Sequence, residues 1–545
     1  MTQQVDEREY SGAGSPPVEG AAQVPVAELS AADLMRLPPS PARPSWMVTR
    51  FPVSTEEYGR LVEAAAQPTQ VAPEAAQAVV EDPAGGAQAE AVAAPAELPE
   101  DEGGAGPGAA APGIVASFDG IPQTAWQPPD NTIAVGPSDV LVAVNSDLAG
   151  YTRAGALRFR WPDMTTLFRA VLPANASVFD PRVAYDHYTH RWIVVTGARR
   201  QTPAGSWLMV GVSQGADPAG AYWVWALDAS PNGGTPTNNW ADYPMLGFDT
   251  QAIYISSNMF AFNGGFQYAK LRILNKAELY AGGVGPSHSI RWYDLWNLRN
   301  PDNSQAFTVQ PAVHFRGTGG NPPANLINGL WPSGRSLTLW TLTNPLASWT
   351  GGAPALARTA VQTMDYDLPP AAQQQGTATP INTNDPRLLN AVYQFAGGVQ
   401  RLWTCHTVKH TWPNDPAARS AVQWYEIDVP GQRVVQQNRY GATGSYYFFP
   451  AIQTDAARNA YVVFGRSSSG EYAHLRQSGR RVGDPPGALQ GSALVAAGAG
   501  PYDRGRWGDY FGICRDPGAT TVWMYGEYAH AGDTWATRVC AARFP

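Results

Sequence analysis

The sequence predicts an all-β fold, a β-propeller of seven blades, preceded by a disordered acidic arm. Three observations predict it: a short phrase that recurs seven times, an aromatic-rich alternation punctuated by turn residues, and a sharp break in composition near residue 113. The phrase is a small or acidic opener, a short apolar run, a turn, and a Trp- or Val-rich strand. It stands at Asp130-Asn131-Thr132-Ile133, Asp180-Pro181-Arg182-Val183, Asp242-Tyr243-Pro244-Met245, Gln310-Pro311-Ala312-Val313, Asp385-Pro386-Arg387-Leu388, Phe449-Pro450-Ala451-Ile452 and Asp509-Tyr510-Phe511-Gly512. Openers roughly 45 to 75 residues apart indicate small antiparallel sheets arrayed around an axis.

The blades follow in chain order. The first spans 114–170, with Val140–Val144 as a clear strand, and the second 175–230, with Trp192–Thr196 and Leu208–Val212 alternating. The third holds Ile253–Ser256 and Lys270–Leu274; the fourth, 288–352, holds Ser336–Leu342. The fifth, 385–440, holds Leu402–Val408 and Val422–Ile427, and the sixth, 445–484, holds Ala460–Phe464. The seventh, 505–545, holds Val522–Tyr525 and Thr537–Arg543. The stretch 353–384 reads as an inter-blade loop or an extra strand pair. A ring of blades is expected to close by pairing the last strand with one begun near residue 114, because closure removes exposed sheet edges.

Residues 1–112 contrast with this body. They are rich in Ala, Pro, Gly and Glu, lack Lys, and carry a net charge of −12, so residues 113–545 carry +4 of the chain's −8. Such a composition buries too little apolar surface to offset chain entropy, and the arm is predicted to be disordered. One island, 44–66, differs. Pro44–Val53 reads as a short strand, and Ser54 reads as a helix N-cap with Glu57 completing a capping box. Trp46, Phe51, Tyr58 and Leu61 make it a candidate docking segment, for a partner or for the protein's own body.

Composition narrows the function classes. The chain has three lysines, Lys270, Lys276 and Lys409, and scattered arginines, which is no nucleic-acid footprint. Cys405, Cys514 and Cys540 form no disulfide framework; Cys514 and Cys540 fall in one repeat and could pair, free buried thiols being preferred. No transmembrane segment is read from the sequence. The acidic N-terminus, Met1-Thr2-Gln3-Gln4-Val5-Asp6-Glu7, lacks the apolar core of a Sec signal peptide, so the expected location is cytoplasmic or reached by a non-Sec route.

Several runs resemble a pattern in a large group of bacterial propeller-like proteins, often at the cell surface or secreted. These are Asp180-Pro181-Arg182-Val183-Ala184-Tyr185-Asp186 ending in Arg191-Trp192, Asp242-Tyr243-Pro244, Tyr472–Arg480, and Arg506-Trp507-Gly508-Asp509-Tyr510 with Glu527-Tyr528. The resemblance spans 113–545 and implies the fold; it brings no reaction and no catalytic residues. The Asp-box of sialidases, Ser-x-Asp-x-Gly-x-x-Trp, does not occur.

Chemistry concentrates in the openers. In a propeller they crowd one mouth of the channel, so Asp130, Asp180, Asp242, Asp385 and Asp509 would repel unless protonated, paired or bridged by a cation. The preferred reading has each aspartate capping its own turn. The metal reading has the five share a cation, Ca²⁺ above all. The catalytic reading takes Asp180, Asp385, Asp509 and Glu527 as acid/base groups for hydrolysis of a glycan. Arg182, Arg387 and Arg506 either neutralise these acids or bind an anionic ligand. His187 with His190, and His406 with His410, have spacings compatible with Zn²⁺, without a visible third ligand. The preferred function is a non-enzymatic propeller that binds a protein or glycan ligand. The alternatives are a glycoside-hydrolase-like enzyme using the central carboxylates, and a structural component docked through the arm.

Overall fold

The computed structural model describes residues 50–67 and 111–545, except 286–287, 318–322, 414 and 519, together with the strand pieces Gln3–Gln4, Ala22–Val24 and Val80–Glu81. The body is all-β, with sheets arranged as a propeller. Strands Thr132–Val135, Asp139–Ala143, Leu148–Thr152 and Leu157–Trp161 form one four-stranded meander. Ser177–Asp186, Arg191–Arg200, Gly205–Ser213 and Tyr222–Asp228 form the next. Gln310–Pro311, Ala324–Gly329, Gly334–Thr343 and Ala355–Tyr366 form another, and Ser445–Thr454, Ala460–Ser468, Glu471–Arg480 and Ala493–Ala496 a further one.

A ten-stranded sheet contains two meanders, Asn239–Phe248 to Trp292–Trp296 and Asn390–Ala396 to Arg433–Gly441, bridged by the short strand Val313–Phe315. The bridge pairs in parallel with both, through Phe248 on one side and Val392 to Gln394 on the other. Closure follows the expected route: Gly113–Asp119 pairs with Thr534–Arg543, so the first strand of the body completes the last sheet. Two boundaries differ from expectation. Trp292–Trp296 closes the meander that begins at Asn239, and Ala355–Tyr366 is the outer strand of the sheet before it rather than loop. In both cases a long excursion separates the strand from its partners, which hid the pairing from pattern alone.

The recurring opener has a backbone cause. Asp180, Tyr243 and Phe449 hold left-handed φ values of 51°, 53° and 50°, and each precedes a proline. At each, two residues of the inner strand face one on its neighbour: register shifts between Val195 and Gly197, between Asp242 and Met245, and between Phe448 and Ala451. This is a β-bulge. Proline suits its second position because the bulge leaves that N–H without a ladder partner. A left-handed non-glycine residue costs about 1–2 kcal/mol, held here by the packed walls on either side. Those walls are aromatic: Trp192, Trp225, Trp340, Trp403, Trp424 and Trp535 are fully buried between sheets. That is the wedging role expected for most of the tryptophans.

Candidate functional site

Asp180 lies in the strand Ser177–Asp186, Asp130 and Asp509 lie just ahead of the first strands of two other sheets, and one carboxylate oxygen of each lies within 4.8 Å of those of the other two. All three are buried. They are cross-tied rather than capping separate turns, which corrects the preferred sequence reading. Asp130 Oδ1 accepts the backbone N–H of Asp509 at 2.8 Å, and its Oδ2 accepts from Asn145 Nδ2 at 2.5 Å. The Asn145 Oδ1 accepts the backbone N–H of Asp180 at 2.8 Å, so one amide fixes two members of the triad. Asp509 Oδ2 pairs with Arg506 Nη2 at 2.6 Å, and Oδ1 accepts from Asn384 Nδ2 at 3.2 Å. Among the described residues, no hydrogen-bond donor engages the Asp180 carboxylate.

The electrostatics follow from that wiring. Burial first, then the negative charges of Asp130, Asp242 and Asp509, push the Asp180 carboxyl well above the ordinary carboxylate range. Glu527 stands behind Asp130: it is fully buried, accepts from Asn131 Nδ2, and is likewise pushed well up by burial and by Asp130. Asp242 is raised to about 6 by burial, with Arg50 pulling the other way. The mouth thus combines carboxyls that burial and like charge push upward with an ion-paired carboxylate.

Beside the triad an aromatic floor crosses the axis. Tyr243 donates to the Asp509 carbonyl at 3.2 Å, Tyr510 donates to the Pro181 carbonyl at 2.8 Å, and the two rings meet edge to face at 5.7 Å. The Arg182 guanidinium lies 3.3 Å from the Tyr510 ring centre and donates from Nε to the Pro244 carbonyl. Arg182 therefore braces the floor and does not neutralise the acids. Beyond it the inner strands enclose a narrow cavity of about 90 Å³, lined by Thr132, Val183, Leu246, Gln310, Leu389 and Gly512 among others.

Asp385 stands apart from the triad. Arg387 grips it bidentately, Nε at 2.6 Å and Nη2 at 2.9 Å, and Trp331 Nε1 donates to it at 2.8 Å. Asp385 Oδ1 also accepts the Arg387 backbone N–H at 3.2 Å, so here the turn-cap reading holds. Asp385 thus lies outside the triad, and so does Asp242. The ion pairs expected of the arginines are made by Arg387 and Arg506. Among the described residues no histidine belongs to a metal-ligating cluster: His406 is buried between the Pro386 carbonyl and the Tyr425 hydroxyl, and burial holds its pKa down to about 4. Cys405, Cys514 and Cys540 are free thiols.

The docking segment seats on the protein's own body, at this mouth. Ser54 caps the helix Thr55–Ala65 by accepting the Glu57 N–H at 3.1 Å, as its capping-box spacing predicts. Residues 50–53 form no strand, contrary to expectation, because Pro52 interrupts them; Trp46 lies outside the described residues. Phe51 and Tyr58 are buried and stacked at 3.5 Å. The Tyr58 hydroxyl donates to the Asn384 carbonyl at 2.9 Å and lies 3.2 Å from Asn382 Oδ1. Leu368 packs beneath, with Trp331 and Leu61 at the edge. The Arg50 guanidinium lies 5.1 Å from the Trp240 ring centre, and its carbonyl accepts from Arg387 Nη2.

The residues that sequence reading missed are mainly amides. Asn131, Asn145 and Asn384 position the acids, and only Asn131, inside an opener, carried any signal. Tyr243 and Tyr510 were visible as the residues immediately following two of the opener aspartates.

No family model and no curated protein matches the chain. Among solved structures, a protein of unknown function from Dyadobacter fermentans aligns over 79% of this chain and 98% of its own, at 9% identity and a TM-score of 0.33. A Trypanosoma rangeli sialidase mutant displaying trans-sialidase activity aligns over 79% of this chain and 60% of its own, at 9% identity and TM-score 0.34. The α-L-arabinofuranosidase of Fusarium graminearum aligns over 65% and 89%, at 9% identity and TM-score 0.30. The expectation of a non-enzymatic binding propeller is withdrawn. The mouth holds an interlocked carboxylate triad where separate turn caps were expected.

Proposed function

We propose that this protein is a glycoside-hydrolase-like enzyme whose chemistry is carried by Asp180 and Asp509, with Asp130 and Glu527 behind them. The observation that carries the proposal is the triad itself: oxygens within 4.8 Å of one another, one acid with no hydrogen-bond donor on its carboxylate among the described residues and one ion-paired. Retaining hydrolysis uses two carboxyls about 5 Å apart. In this assignment Asp180, whose carboxyl burial and neighbouring acids push well above the ordinary range, delivers a proton to the glycosidic oxygen as that bond to the anomeric carbon breaks. Asp509 supplies the opposing negative charge, attacking the anomeric carbon to form a glycosyl ester. Water then displaces the ester, its proton passing to Asp180, which restores both groups.

The ring in this reading has seven blades, the ten-stranded sheet counting as two. In a deprotonated state, which excludes the acid role of Asp180, the three triad oxygens would instead supply ligands to Ca²⁺.

A panel of aryl glycosides and plant or bacterial glycans tests the assignment, with reducing-end release as readout. Wild-type protein is expected to cleave at least one, and Asp180→Asn to lose roughly 100- to 10,000-fold in kcat. Wild-type protein inactive on the whole panel, or an Asp180→Asn variant of undiminished activity, sinks it. Melting with EDTA and with added Ca²⁺ tests the cation separately: a midpoint unmoved by both removes it.

A further inference from the structure

We propose that the segment 50–66 is a built-in strap that holds the carboxylate mouth closed, and that the protein becomes competent for a ligand only when the strap leaves. The proposal rests on the hydrolase reading for what the mouth does, and on separate observations for the strap.

The strap's contacts are with the residues that position the acids. Its Tyr58 hydroxyl is bonded to Asn384, whose side-chain amide holds Asp509, and contacts Asn382. Asn382 is tied in turn to the backbone beside Arg506 through its N–H to the Gly505 carbonyl at 2.7 Å. Its Phe51 lies under the guanidinium of Arg387, the partner of Asp385. An aromatic pair stacked at 3.5 Å against Trp331, Leu368 and a guanidinium fills a seat with the flat, half-polar lining that suits a sugar ring. The strap is thus an occupant of the position that a substrate next to Asp509 would take.

Three features make the strap detachable. Its helix is 11 residues long, too short to persist alone. Of that helix only Tyr58 and Ala65 are buried, so the grip depends on few side chains. Its charged helix residues Glu56, Glu57, Arg60 and Glu63 are exposed and add little to the grip. A strap of this kind leaves by a shift in population rather than by unfolding of the propeller.

The test uses the full chain with Phe51→Ser/Tyr58→Ser, beside the milder Tyr58→Phe, which removes only the hydroxyl's hydrogen bonds. A water-soluble carbodiimide with glycine ethyl ester labels accessible carboxyls, and peptide mass spectrometry reads Asp180 and Asp509. Hydrogen exchange of the 55–65 amides reports whether the helix has detached, and a melting curve reports the propeller. In the double variant, labelling at Asp180 and Asp509 is expected to rise roughly tenfold, with helix protection lost and the propeller transition retained. Tyr58→Phe is expected to give a rise of roughly fivefold. Labelling unchanged despite a detached helix overturns the strap, as does wild-type labelling already equal to that of the variants. If the double variant fails to melt cooperatively, Tyr58→Phe decides by the same two readouts. Labelling that rises while no glycoside is cleaved upholds the strap and rejects the hydrolase, so the two failures are separable.

Discussion

The tripeptide Asp-Pro-Arg occurs at two openers, 180–182 and 385–387, and the same three residues do opposite things. At 385–387 the arginine folds back and clamps its own aspartate, giving a neutral, buried pair. At 180–182 the arginine turns to the Tyr510 ring and the Pro244 carbonyl, and the aspartate faces other acids, with only Arg506 opposing them. The difference lies one residue upstream. In the first tripeptide Asp180 itself is left-handed, with φ 51°; in the second the left-handed residue is Asn384, with φ 64°, and Asp385 follows it. Moving the kink by one position in an extended chain sends each side chain to the other face. Asp130, φ 54°, shares the Asp180 arrangement, so two members of the triad are left-handed aspartates. Strain of this kind clusters at functional sites.

Breaking the clamp is the strongest test of the contrast. Arg387→Met leaves Asp385 buried without its partner and is expected to cost about 3–5 kcal/mol. Arg182→Met strands no charge; it loses a cation–π contact and one hydrogen bond, about 2 kcal/mol. Urea unfolding of the two variants at pH 7 measures the gap. Equal losses would mean that the twin arginines do the same job.

This contrast also marks how far the sequence could be read. Openers, turn prolines, the ring closure and the Ser54–Glu57 cap were legible, because each is a local pattern with a local cause. The crowding of aspartates at one mouth was legible too, since it follows from the openers' positions in a propeller. Which aspartates meet was not, because the sign of φ at Asp180 and at Asn384 is set by packing against neighbouring sheets. The seat of the strap was illegible for a related reason: Tyr58 bonds to Asn384 from 326 positions away.

A smaller effect tests whether Asp242 belongs with the neutral or the charged side of the mouth. Its folded pKa of about 6 lies above the roughly 3.9 of an unfolded aspartate. A raised carboxyl keeps its proton in the fold while the unfolded chain has released it, so stability is full below about pH 4 and falls as pH rises towards 6. The loss is about 3 kcal/mol, and Asp180 contributes with the same sign. Urea midpoints at pH 4, 5, 6 and 7 should decline for wild-type protein and decline less steeply for Asp242→Asn. A wild-type midpoint that rises over this window would place Asp242 among the ion-paired acids.

The smallest effect isolates the kink itself. Asn384→Gly and Asn384→Ala both lose the side-chain bond to Asp509, and both keep the carbonyl that accepts from Tyr58. They differ in the left-handed backbone, which glycine adopts freely and alanine adopts at a cost of about 1 kcal/mol. The alanine variant should therefore be about 1 kcal/mol less stable than the glycine variant by urea unfolding. The difference subtracts the lost bond, leaving backbone strain alone. Equal stabilities would mean that position 384 can relax out of its left-handed conformation. The one-residue offset between the two Asp-Pro-Arg segments would then need another cause, to be sought in the walls that hold Asp180.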